Sequence, residues 1–117
     1  MANLRRTLWH LLGGTRGGPT RIRMLQLLAD RPLNANQLAT ALGADYKTVR
    51  HHLKVLVENR LLEPHGGGYG AVYFYSPSME ESRGELAAIA ARLAPHPTAT
   101  PEALAPSPPA QRPPGGP

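Results

Sequence analysis

Apolar positions recur with a helical period over residues 36–58, pause once, and resume. Leu38, Ala39 and Leu42 share one face of the first run. Val49, Leu53, Leu56 and Val57 follow the i, i+4, i+7, i+8 spacing of an amphipathic helix in the second. Gly43 separates the runs, where a left-handed residue ends one helix and lets the chain turn sharply. Asp45 offers a carboxylate oxygen to the free N–H groups of the second helix. Asn34 and Gln37 read as a capping-box variant for the first. Ala39, small and placed before the glycine, allows a close helix crossing, and the β-branched Val49 packs into it. The layout is a helix-turn-helix, with the second helix spanning residues 46–59.

Four further segments frame this pair. Asn3–Leu12 carries the stripe Leu4, Leu8, Leu11 and Leu12 with Arg5 and Arg6 outside. A helix this short must pack on something, either its own domain or a second copy. Gly13–Gly18 reads as a flexible break. Pro19 suits a first helical turn, and Pro19–Asp30 turns Ile22, Leu25, Leu28 and Ala29 to the core, with Arg21 and Arg23 outside. Arg31-Pro32 stops that helix, and Leu33 adds a residue or two of strand. Leu61–Pro64 and Ala71–Tyr75 alternate as the strands of a hairpin, with His65–Gly70 as its glycine-rich tip. Tyr73 and Tyr75 are expected on the sheet surface or at an interface.

Ser78 and Glu81 form a capping box for a helix over Ser78–Ala94, whose Met79, Ser82, Leu86, Ile89 and Leu93 recur at heptad-like spacing. That stripe either closes a single-domain core or forms a two-helix seam with a second copy, and the seam is the favoured reading because a helix after the wing has little domain left to cover. Pro95–Pro117 contains nine prolines and cannot bury enough apolar surface to offset its ordering entropy, so a disordered tail is expected. The chain therefore divides into residues 1–14, an N-terminal helix with a possible dimer contact; 19–77, a winged helix-turn-helix; 78–94, a dimerisation helix; and 95–117, the tail. The fold class is mainly α with a small β-hairpin wing.

Charge narrows the function. The 117 residues carry a formal +5 with a pI near 10.2. Ten Lys and Arg face three acids through Arg60, net +7, whereas the remainder is −2. A polyanion is implied as the partner of the first half. The outward positions of the second helix are Tyr46, Lys47, Thr48, Arg50, His51 and Lys54, all able to hydrogen-bond, with Glu58 its only acid. These are the expected DNA contacts, joined by Arg16 from the glycine-rich loop and His65 from the wing. Arg50 is assigned to guanine O6 and N7, and Thr48 and Lys54 to phosphates. The wing tip has no Lys or Arg, so it adds little minor-groove readout.

The stretch LATALGADYKTVRHHLKVLVENRLLE resembles the DNA-binding core of ArsR-type winged helix-turn-helix regulators of archaea and bacteria. The likeness runs from about Thr20 to Tyr75. It implies a dimeric, sequence-specific transcription regulator, dimerising through helices 3–12 and 78–94. The sequence departs from the metal-sensing members in having no cysteine, which points to a non-metal-sensing branch.

Catalytic and cofactor readings find no support. No serine-centred nucleophile elbow, HExxH run or apolar carboxylate pair is present, and GGTRGGP lacks the Lys-Ser/Thr ending of a phosphate-binding loop. His51 and His52, adjacent on a helix, point about 100° apart and suit no shared metal. His52 is placed near the helix–wing junction instead. No apolar run approaches the roughly 20 residues of a membrane span, and a cytoplasmic location is expected. The expectation is thus a DNA-binding regulator with no cofactor. The alternatives are a winged helix used as a protein-interaction module, or a nonspecific chromatin-type DNA binder.

Overall fold

The computed structural model describes residues 2–93, so the proline-rich segment 95–117 lies outside the described residues. Six α-helices and three short strands follow in the order α1 (Ala2–Leu8), α2 (Gly18–Asp30), β1 (Leu33–Asn34), α3 (Ala35–Leu42), α4 (Tyr46–Glu58), β2 (Leu62–His65), β3 (Val72–Tyr75), α5 (Pro77–Glu81) and α6 (Arg83–Leu93). A π-helical turn, Trp9–Gly13, prolongs α1, and a 3-10 turn, Gly68–Gly70, lies in the wing. The architecture is a winged helix-turn-helix, mainly α with a small antiparallel sheet.

The α3–α4 pair forms where local chemistry directs it. Asn34 and Gln37 cap α3 reciprocally, each side chain meeting the other's backbone N–H at 2.8 Å. Gly43 closes the helix with φ +63°, a conformation in which a Cβ would be strained. Asp45 then accepts from the N–H groups of Lys47 and Thr48 at 3.0 and 3.2 Å. The far end of α4 uses Arg60 as its left-handed residue, φ +65°, with the Leu61 N–H returning to the Leu56 carbonyl.

The sheet order is β1-β3-β2, with Leu33 opposite Tyr73 and Pro64 also opposite Tyr73. Both strands of the hairpin begin one residue later than the pattern suggests, and His65 belongs to β2 rather than to the tip. Tyr73 and Tyr75 are buried, against the expectation of a surface position. Their face of β3 turns onto α2 and α4, and the Tyr75 hydroxyl donates to the Leu25 carbonyl of α2. Burial pushes the Tyr75 phenol up to about 12.

Two other expectations change. GGTRGG is packed rather than loose: a Cβ on Gly18 would lie 2.0 Å from the Leu12 carbonyl oxygen, so α2 starts in direct backbone contact with the π turn. Arg21, expected outside, is buried. It sits three residues after Gly18 and one before Ile22, on the same inward stripe as Leu25 and Leu28.

The C-terminal helix is two helices. Ser76, not Ser78, is the N-cap, its Oγ accepting from the Met79 N–H while donating to the Arg60 carbonyl. The helix breaks at Ser82, whose hydroxyl donates to the Ser78 carbonyl, next to the poor helix former Gly84. Met79, Leu86 and Ile89 of the heptad-like stripe close the chain's own core, where α1, the π turn and α2 supply the surface to be covered. The stripe's Leu93, at 44% exposure, is the large apolar side chain that remains outside. Leu8, Leu11 and Leu12 likewise bury within the chain.

Candidate nucleic-acid interface

α4 buries Val49, His52, Leu53 and Leu56 and leaves Lys47, Thr48, His51 and Lys54 exposed. Its inner face anchors on α3 and β2, which fixes the direction of the outer face. Arg50 is half-buried, its Nη1 3.4 Å from the Tyr73 hydroxyl, so the wing's inward tyrosine also steadies a cation of the reading helix. Between α4 and the wing lies an open groove of about 460 Å3, walled by Lys47, Arg50, His51, Lys54, Pro64 and Tyr73. Its lining sets three cations, Lys47, Arg50 and Lys54, against one acid, Glu58, over an apolar floor of Leu53 and Val57, a balance that favours a polyanion.

The other predicted residues divide. Tyr46 is half-buried and packs against the hydrophobic core rather than standing out with Lys47 and Thr48. Arg16 is exposed and joins Lys47, Thr48 and His51 around a second, shallower pocket of about 550 Å3. His65 is exposed on the sheet face opposite Tyr73, stacked on Phe74 with ring centroids 4.3 Å apart. It lines neither pocket. Seven of the eight nominated residues therefore gather on or beside α4, and one does not.

Two residues of this region escape a reading by residue type. The Arg21 Nε–H donates to His52 Nδ1 at 3.1 Å, while Nη1 donates to the Leu11 carbonyl and the Thr15 hydroxyl at 3.2 and 3.0 Å. His52 thus faces α2 and the glycine-rich loop, not the wing junction. Burial holds the His52 imidazole below its ordinary value, and the charges of Arg21 and His51 add to the effect. Burial also lowers Arg21. The helical period could have found both: each occupies an apolar-stripe position of its own helix.

Residues 18–63, from the start of α2 into β2, match the family model described as "Bacterial regulatory protein, arsR family". The chain carries an ArsR-type helix-turn-helix. Among solved structures it is similar to reduced HlyU from Vibrio cholerae, with a TM-score of 0.59, 15% identity, 80% of this chain covered and 94% of that one. It is also similar to the adhesin competence repressor AdcR from Streptococcus pyogenes, with a TM-score of 0.54, 22% identity, and coverage of 78% and 68%. No curated protein sequence matches the chain. At these identities the structural likeness concerns the fold, while the ArsR-type match covers α2, α3, α4 and the first residues of β2. The match over 18–63 supports DNA binding by this segment. No described helix is long and apolar enough to cross a membrane.

Proposed function

We propose that the chain is a homodimeric, sequence-specific transcription regulator that lays α4 in the major groove. The observation that carries this reading is the exposed cationic face of α4, held against a groove whose other wall is the wing. Arg50 is the base-reading residue, because its guanidinium lies in the groove wall between α4 and the wing and is steadied by the Tyr73 hydroxyl, and a planar guanidinium matches guanine O6 and N7. Lys54, exposed at mid-helix, is a phosphate contact. For the dimer, the support is the outer face of α6, where Ala87, Ala88, Ala91 and Leu93 are exposed. Small side chains there let a second helix approach closely. Two copies of α4 would then enter successive grooves about 34 Å apart. With no cysteine in the sequence, any effector response runs without a thiolate metal site.

Selection from a pool of random duplexes tests the reading, with oligomeric state measured by sedimentation. An enriched inverted repeat with half-sites about 10 base pairs apart is expected. Salt-sensitive binding without enrichment would leave only a nonspecific binder. On the selected site, Arg50→Ala should cost about 1–3 kcal/mol and relax preference at one base pair. Lys54→Ala should weaken all sequences alike and lower the salt slope by about one. Equal, sequence-blind losses from both would overturn this division.

A further inference from the structure

Arg21 poses a charge problem that the fold does not solve. The residue is 7% exposed, yet each partner it has is neutral: an imidazole nitrogen, a carbonyl and a hydroxyl. The ion pairs among the described residues, Arg5–Glu85 and Arg83–Glu80, do not include it. A largely buried guanidinium held only by neutral partners, with one nitrogen still open to solvent, is stabilised by an anion at that open end. Nε and Nη1 are engaged, and Nη2 has no hydrogen-bond partner among the described residues. Arg21 lines the second pocket together with Arg16, Thr20, Lys47 and Thr48, and no acid is in the lining. Lys47 and His51 line both this pocket and the α4–wing groove, so the two form one continuous face.

Resting on the DNA-binding reading above, we propose that this pocket is a backbone-phosphate site, in which Arg21 Nη2, Arg16 and Thr48 grip one DNA phosphodiester and His52 is the positioning residue that keeps the guanidinium turned toward it. The parts fit this use. Three hydrogen bonds fix the Arg21 plane before any ligand arrives, and a planar fork suits phosphate oxygens. Gly17 makes room: a Cβ there would lie 2.7 Å from His52 Cε1 and 3.3 Å from Arg21 Cζ. The phosphate supplies the missing counter-charge, so the buried cation is stabilised when DNA binds. Protonating His52 would turn its Nδ1 from acceptor to donor and release Arg21. The charged and titratable groups around that imidazole are Arg21 on α2, Arg16 on the loop, and Lys47 and His51 on α4.

The test uses the full chain and the selected duplex, with single phosphates replaced one at a time by neutral methylphosphonate. In the unaltered protein one replacement near the end of α2 should weaken binding and lower the salt slope by about one. In folded Arg21→Gln the slope should already be lower by about one, and that replacement should have no further effect. Should Arg21→Gln fail to fold, Arg16→Ala at the pocket mouth carries the comparison. His52→Asn, which keeps an acceptor oxygen, should bind nearly as the parent does and flatten the acid side of the affinity–pH profile, with His51→Gln as the background. His52→Ala should lose the contact. A third arm adds inorganic phosphate at constant ionic strength. A Tm rise that depends on Arg21, with an unchanged DNA slope, would give the pocket to free phosphate and overturn the backbone assignment. An unchanged slope in folded Arg21→Gln, with no position-specific difference, would overturn the site and leave DNA binding standing. Absence of DNA binding by the parent at low salt would overturn both.

Discussion

A guanidinium and an imidazole meet at the α2–α4 junction without an acid between them, and that makes the molecule sensitive to protons there. The folded pKa of His52 lies below its ordinary 6.5, chiefly through burial. As pH falls, the unfolded chain therefore takes up this proton first. The contribution is complete above about pH 6.5, shrinks as pH drops through 6.5 toward the folded value, and levels off below it. Thermal melts in steps from pH 8 to 5 should show Tm falling on the acid side, and His52→Gln should remove part of that fall. An identical profile in the variant would refute the linkage. The residue's burial was legible in the sequence through its spacing from Val49 and Leu53, but its partner was not. A helical stripe says which way a side chain points and nothing of which distant helix it meets. Arg21 departs from its expected outward position for a related reason: its place on the stripe between Gly18 and Leu25 decides its direction, whatever its charge.

At the scale of elements, the ends of helices carry the sharpest information. Asn34, Gln37, Gly43 and Asp45 act within a few residues of themselves, so the α3–α4 turn could be read with its caps. The C-terminal cap could not, since Ser78 has Glu81 at the capping-box spacing, whereas Ser76 has Met79 there. What selects Ser76 is the Arg60 carbonyl, brought in from across the chain. The faces of β3 come out opposite to the expectation for the same kind of reason: alternation separates Tyr73 and Tyr75 from Val72 and Phe74, but only the position of α2 tells that the tyrosines go inward. Two substitutions probe element ends directly. Gly18→Ala should destabilise by about 3 kcal/mol, because its methyl meets a backbone carbonyl that no rotamer can clear; chemical denaturation reads this as a lower midpoint. Arg60→Gly should raise stability by about 1 kcal/mol, relieving the left-handed strain at the end of α4. A lower midpoint for Arg60→Gly would show that its side chain contributes more than the strain costs.

The first and last of the described helices clasp one another. The Glu85 carboxylate of α6 accepts from the Trp9 indole at 2.7 Å and from Arg5 at 3.1 Å, and Arg92 lies over the indole ring, 5.9 Å from its centre. The same hydrophobic cluster runs from Leu8 and Ile89 to Tyr73 in the wing, so seam and wing share one core. Composition could not reveal this, because the clasp joins residues separated by most of the described chain. It also supplies an optical probe. The sequence has a single tryptophan, so its fluorescence reports the α1–α6 seam without interference from a second indole. On urea titration the emission should move to longer wavelength in step with the loss of far-ultraviolet ellipticity, as one cooperative unit requires. An emission change that runs ahead of the ellipticity would mean that the end helices peel away while the reading head stays folded.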